Sequence, residues 1–155
     1  MTTRRTDAPA DDVLALENQV CFALAVASRR VISLYRPLLE PMGLTHPQYL
    51  VLLALWQHEP LSVRRLAEML SLDPATLSPL LKRLESAGYL NRARDPHDER
   101  SLNVTLTTAG RRLRRKALAI PPAVVAQLGM ELDEVRALHA SLTDVIRRTE
   151  QAPAG

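Results

Sequence analysis

The apolar positions of the chain fall mostly into helical stripes. Leu14, Cys21, Leu24, Ser28, Val31, Tyr35 and Leu38 recur at steps of three and four or their sums. This predicts a long first helix starting at Asp11, with Asp11 or Asp12 as its cap. Pro37 should kink its last turn, and Pro41 with Gly43 should end it. Thr45 then reads as a cap, with Pro47 early in a second helix from Gln48 to about His58. Leu50, Leu53, Ala54 and Trp56 make that helix apolar almost all round, which predicts a central position. Glu59-Pro60 should end it.

Two short helices follow. Ser62 caps Val63–Leu70, which should bury Leu66, Met69 and Leu70. After a tight turn, Ser71-Leu72-Asp73, a helix runs from Asp73-Pro74 to about Ser86 with Leu77, Leu80, Leu81 and Leu84 inward. Pro79 inside it predicts a later start or distorted first turns. Gly88 supplies a left-handed C-terminal residue. Tyr89–Arg94, a turn at Asp95–Glu99, and Ser101–Leu106 with alternating Leu102, Val104 and Leu106 predict a β-hairpin. Thr107 or Thr108 caps an arginine-rich helix that Pro121-Pro122 must interrupt. A last helix from about Glu131 to Arg148 carries the stripe Leu132, Val135, Leu138, Leu142 and Val145.

The expected fold is therefore mainly α with a small β-hairpin wing, a winged helix-turn-helix flanked by N- and C-terminal dimerisation helices. Residues 1–10 read as a disordered tail and 11–44 as an N-terminal dimerisation helix. Residues 45–108 read as the DNA-binding domain, 109–150 as C-terminal dimerisation helices and 151–155 as a tail. A module of this kind leaves the flanking apolar stripes uncovered, so pairing with a second copy is expected. A two-fold dimer would read an inverted repeat in double-stranded DNA.

Charge sharpens this picture. The 155 residues carry a net charge of +3, but residues 76–116 alone are +6, whereas 1–20 and 131–155 are each −2. On the second short helix, Thr76, Ser78, Pro79, Lys82 and Arg83 should face away from the buried leucines, small residues first and basic ones later. That order suits base reading followed by phosphate contact. Arg92 and Arg94 on the wing, with Arg100 at its tip, extend the basic track. No apolar run is long enough for a membrane span and no signal peptide is apparent, so a cytoplasmic location is expected. Cys21 is the only cysteine, which excludes an intrachain disulfide and a cysteine-based zinc site. His46, His58, His97 and His139 lack ligand-like spacing, so no metal and no cofactor are expected. No constellation supports an enzyme such as a thiol peroxidase.

Asp98-Glu99-Arg100-Ser101 and Leu106-Thr107-Thr108-Ala109-Gly110 resemble the wing and wing exit of the multiple-antibiotic-resistance regulator (MarR) family. Residues 16–24, Tyr35-Arg36-Pro37-Leu38-Leu39, Pro47-Gln48-Tyr49-Leu50 and residues 77–85 are similar to the one-cysteine organic hydroperoxide resistance regulators (OhrR). The resemblance implies a dimeric repressor that releases operator DNA when Cys21 is oxidised, with Asp98 supporting the wing. It also implies a partner-subunit tyrosine, matched by Tyr35, hydrogen-bonded to the sensor thiol. The second family tyrosine is His46 here, and a third is Ala25. Tyr49 is a further candidate for the sensor pocket.

Cys21 and Tyr35 are 14 residues apart. On one helix that is roughly 21 Å, so they can meet only between subunits. About ten residues into its helix, Cys21 should gain little from the helix N-terminus. His46 could support a thiolate, by charge if protonated or by one hydrogen bond if neutral. With no second cysteine, a sulfenic acid at Cys21 would be capped by a small thiol as a mixed disulfide. The alternative is a repressor released by a small aromatic ligand lined by His46, Tyr49 and Trp56, with Cys21 structural.

Overall fold

A computed structural model describes residues 12–153. The expected tail at 1–10 and the cap candidate Asp11 lie outside them. Among the described residues the order is α1 (Val20–Leu39), α2 (His46–His58), β1 (Leu61–Ser62), α3 (Val63–Leu70), α4 (Pro74–Ser86), β2 (Leu90–Asp95), β3 (Asp98–Leu106), α5 (Thr108–Ala117), α6 (Ile120–Leu128) and α7 (Leu132–Gln151). The strands form one antiparallel sheet in the order β1-β3-β2. No helix among these residues is long and apolar enough to cross a membrane.

The first helix starts later than its apolar stripe predicts. Residues 12–19 form a turn and a 3-10 turn, Leu16–Asn18, and extended Gln19 caps α1. The Asp12 side chain accepts from the Leu14 N–H at 3.0 Å, so it organises the turn and does not cap a helix. Leu14 is 87% exposed and does not belong to the helix stripe. α1 runs through Pro37 and ends in a 3-10 turn, Glu40–Met42, closed by left-handed Gly43. Such a helix forgoes one backbone hydrogen bond at the proline.

α2 is the centre of the core, as its composition predicts. Tyr49, Val51, Leu52, Ala54 and Leu55 are buried, while Leu53 is exposed. Thr45 and Gln48 form a reciprocal capping box, which explains why Gln48 is a buried polar residue. Around α2 pack Leu39 of α1, Leu66 of α3, Leu77, Leu81 and Leu84 of α4, Leu90 of β2, and Val104 and Leu106 of β3. α3 has the predicted limits, although Ala67 joins Leu66 in the core and Met69 and Leu70 are only partly buried. α4 starts at Pro74 and continues through exposed Pro79, so neither expected distortion delays it. Leu80 is partly buried.

The hairpin is longer and tighter than the sequence suggests. β3 begins at Asp98, leaving Pro96-His97 as the turn. Arg94 pairs with Leu102 but Asp95 pairs with Asp98, so Glu99, Arg100 and Ser101 bulge at the wing end. Leu102 is exposed, and only Val104 and Leu106 reach the core. The two-residue β1 escapes sequence detection because its second residue, Ser62, is also the cap of α3.

Beyond the wing, Thr107 caps α5, and the interruption at Pro121-Pro122 falls at the start of α6. α7 starts one residue later than expected and continues to Gln151, into the segment expected as a tail. It buries none of its side chains; Leu132, Leu138, Leu142 and Val145 are all exposed.

Gly110 fixes the junction of wing and α5. A Cβ at this position would lie 2.1 Å from the Tyr89 backbone oxygen. Gly110→Ala should therefore lower the unfolding free energy by about 1–3 kcal/mol, despite alanine's better helix propensity. Urea unfolding at matched protein concentration measures this.

Candidate nucleic-acid interface and sensor cluster

Asp73 in extended conformation starts α4, and the buried leucines fix its rotation. Thr76, Ser78, Pro79, Lys82 and Arg83 are consequently all exposed on the opposite side. The packing of α4 against α3 and the wing presents this face as one surface.

The wing arginines differ from one another. Arg100 is exposed, and its backbone N–H donates to Asp98 Oδ1 at 3.0 Å, a local bond within the bulge. Arg94 donates to the Glu99 carbonyl at 2.9 Å, tying the two strands together near the turn. Arg92 is not a free member of the basic track. Its Nε donates to Glu85 Oε2 at 2.9 Å, with the arginine side chain 25% exposed. It braces β2 against the end of α4, because its alternation places it on the core-facing side of the strand with Leu90.

Cys21 is an exposed free thiol. Because α1 starts at Val20, Cys21 is the second residue of the helix and not the tenth. The expectation that Cys21 lies deep within its helix is thereby corrected: it stands in the first turn of α1.

Tyr35, His46 and Tyr49 do form one cluster. The Tyr35 and His46 rings lie 4.8 Å apart edge to face, Tyr35 and Tyr49 5.9 Å apart, and His46 and Tyr49 6.4 Å apart. The Tyr35–His46 pair alone is edge to face, an arrangement favourable beyond simple burial, and the other two pairs are tilted. Burial lowers the His46 pKa from its ordinary value near 6.5, so at neutral pH the ring is mainly uncharged and has one N–H to donate. Burial, and then the nearby Tyr35, raise the pKa of Tyr49. Tyr49 is only 4% exposed and serves as the cluster's floor. Along α1, Cys21 and Tyr35 of one chain are roughly 21 Å apart, as the sequence spacing requires. A cleft of about 520 Å³ adjoins the cluster, with His46 in its wall. Tyr49 and Trp56, the other aromatic-ligand candidates, do not line it. No cluster of three or more potential metal ligands occurs among the described residues.

The polar junction at the end of α2 has no counterpart in any sequence pattern. Glu59 Oε2 accepts from the Leu106 N–H at 2.7 Å, and Oε1 accepts from Arg111 Nε at 2.7 Å. Trp56 Nε1 donates to the Gly110 carbonyl at 2.9 Å. These partners lie about fifty positions further along the chain, beyond any local signal.

Two short helices, a tight turn and a three-stranded wing with an exposed basic face define a winged helix-turn-helix DNA-binding protein. Residues 44–102 match the MarR family. The chain is 40% identical over 140 residues to the organic hydroperoxide resistance transcriptional regulator of Bacillus subtilis, covering 90% of this chain and 95% of that protein. It is 47% identical over 135 residues to the HTH-type transcriptional regulator TtmR of Methylorubrum extorquens, covering 87% of this chain and 69% of TtmR. Among solved structures, reduced AbfR bound to DNA is similar, with a TM-score of 0.71, 33% identity and coverage of 88% of this chain and 95% of that one. AbfR is a protein of Staphylococcus epidermidis. The chain belongs to the MarR family of transcription regulators, and it is a DNA-binding regulator, not an enzyme.

Glu59 gives the junction a pH signature. Burial alone would raise its pKa, but hydrogen bonds from Arg111 and the Leu106 N–H, with the charge of Arg111, outweigh this and hold it below the usual carboxylate value. A depressed carboxylate contributes stability that is present above the unfolded-state pKa and lost as pH falls through the folded-state value. Glu59→Gln should cost about 1 kcal/mol at pH 7, and the difference from the native protein should shrink below about pH 4. Denaturant midpoints across that range measure both effects.

Proposed function

We propose that this protein is a homodimeric repressor that senses organic hydroperoxides through Cys21 and releases an inverted-repeat operator on oxidation. The observation that carries this reading is the division of one helix into two ends. An exposed thiol occupies the first turn of α1, and the Tyr35–His46–Tyr49 cluster occupies the other end, out of its reach. An antiparallel partner helix brings each thiol to the other subunit's cluster. The exposed apolar faces of α1 and α7 supply the pairing surface, including Val20, Phe22, Leu138 and Leu142.

In the reduced dimer, Thr76, Ser78 and Pro79 meet base edges, and Lys82 and Arg83 meet phosphates. Arg100 reaches the minor groove, Arg94 holds the wing tip, and Arg92 acts by bracing the wing. Hydroperoxide converts Cys21 to a sulfenic acid, which a small thiol caps as a mixed disulfide. The added bulk, and the breaking of hydrogen bonds from Tyr35 and His46, alter the spacing of the two reading heads. The similarity to a B. subtilis organic hydroperoxide resistance regulator, and to AbfR solved on DNA in reduced and overoxidised forms, supports the redox-sensing part of this reading. Release by an aromatic ligand has less support, because Tyr49 and Trp56 do not line the cleft.

Operator binding measured with and without cumene hydroperoxide tests the sensor. The native protein should release DNA, and Cys21→Ser should stay bound; oxidant release that persists in Cys21→Ser contradicts the reading. Lys82→Ala should weaken binding to all sequences. It should also make the slope of log affinity against log salt shallower by about one for each phosphate that the lysine neutralises. Glu85→Ala should weaken operator binding as Arg92→Ala does. Tighter binding by Glu85→Ala would instead assign Arg92 to direct DNA contact.

A further inference from the structure

The cleft between α1 and the start of α2 has a chemistry that the proposed sensor leaves unused. Its volume, about 520 Å³, suits a small molecule. Arg29, Ser33 and Arg36 line it from α1, one turn apart on the same face, with Ile32 as an apolar neighbour. Arg29 and Arg36 make no ion pair with any described residue. Glu40 is the only acid in the lining. Two guanidinium groups against one carboxylate leave the cleft positive, and guanidinium forks match carboxylates. Cys21 precedes Arg29 by eight residues, about 12 Å along the same helix, so a molecule seated here is not positioned by that chain's own thiol. His46 forms part of the wall, and it is the place proposed for the partner's Cys21.

We propose that this cleft binds the carboxylates of a small acidic thiol and delivers its sulfur to the oxidised Cys21 of a second copy. The proposal rests on the Cys21 reading. In the first step the Cys21 thiolate attacks an organic hydroperoxide: an S–O bond forms, the O–O bond breaks, and the leaving alkoxide takes a proton to become an alcohol. In the second step the small thiol gives up its proton and its sulfur attacks Sγ of the sulfenic acid. The S–S bond forms, the S–O bond breaks, and hydroxide leaves with the proton as water. The hydroperoxide is the only oxidant needed. Arg29 and Arg36 act by holding the attacking thiol close, which raises its effective concentration. Glu40 limits the anionic charge that the cleft accepts.

The test uses full-length protein oxidised with one equivalent of cumene hydroperoxide. It is mixed with mercaptosuccinate, which carries two carboxylates, or with uncharged 2-mercaptoethanol, and the mixed disulfide is followed by intact-mass spectrometry. The readout is the ratio of the two rates, acidic over neutral. Arg29→Gln/Arg36→Gln should lower this ratio about tenfold, and Glu40→Gln should raise it. In the native protein, raising salt from about 0.05 to about 0.5 M should also lower it, which needs no variant to fold. A ratio unmoved by either change overturns the cleft proposal and leaves the sensor intact. A ratio that responds to salt but not to the arginine substitutions overturns the assignment to Arg29 and Arg36. A sulfenic acid that dimedone traps but neither thiol caps overturns the capping step. Absence of any dimedone adduct at Cys21 overturns the sensor reading itself.

Discussion

One carboxylate ties the central helix to both the wing and the helix that follows it. Glu59 stands at the end of the central helix and accepts both from the backbone of β3 and from the Arg111 guanidinium of α5. One turn earlier, Trp56 bonds the Gly110 carbonyl of the same α5, and Gly110 itself rests against the backbone of Tyr89, just before β2. Helix, wing and the start of the C-terminal helices therefore share one junction. A charge-assisted hydrogen bond is directional, so this junction sets the angle of the wing as well as its attachment. The Arg92–Glu85 pair repeats the arrangement on the other side, fastening β2 to the end of the reading helix.

The same central helix connects the junction to the aromatic cluster. His46 and Tyr49 lie in its first turns and Trp56 in its last, with the Tyr49 and Trp56 rings 6.5 Å apart. Packed helices move as bodies and their interfaces switch between discrete arrangements. On the proposed function, a change beside His46 displaces α2, and the Trp56 and Glu59 contacts carry that displacement to the wing. The chemistry at one end of the molecule and the DNA-reading geometry at the other then need no separate signal.

Most of the fold is legible in the residues. Caps and prolines mark α2, α3 and α4 to within a residue or two, because the Thr45 and Ser62 side chains cap locally and Pro74 takes the first position of α4 without a side-chain bond from Asp73. The start of α1 is not legible, because Leu14 continues the apolar stripe by coincidence while Gln19 adopts an extended backbone. That difference matters, since it moves Cys21 from the interior of a helix to its first turn. Exposure along α4 follows from the leucine spacing, so Thr76, Ser78, Lys82 and Arg83 are correctly placed on the outer face. The pairing of Arg92 with Glu85 and the Glu59 junction depend on tertiary approach, which no local pattern encodes. The unpaired arginines of the cleft are equally silent in sequence, where they read as ordinary solvent-facing charges.

In the proposed sensor, the thiol of one subunit is completed by the other. A crystal structure of the reduced dimer tests this most directly through the distance from Cys21 Sγ to the Tyr35 hydroxyl and the His46 ring across the subunit interface. The account predicts at least one approach within hydrogen-bonding reach of sulfur, about 3.5–4 Å. Separation of both groups from the facing thiol by more than about 8 Å, well beyond any hydrogen bond, would contradict it.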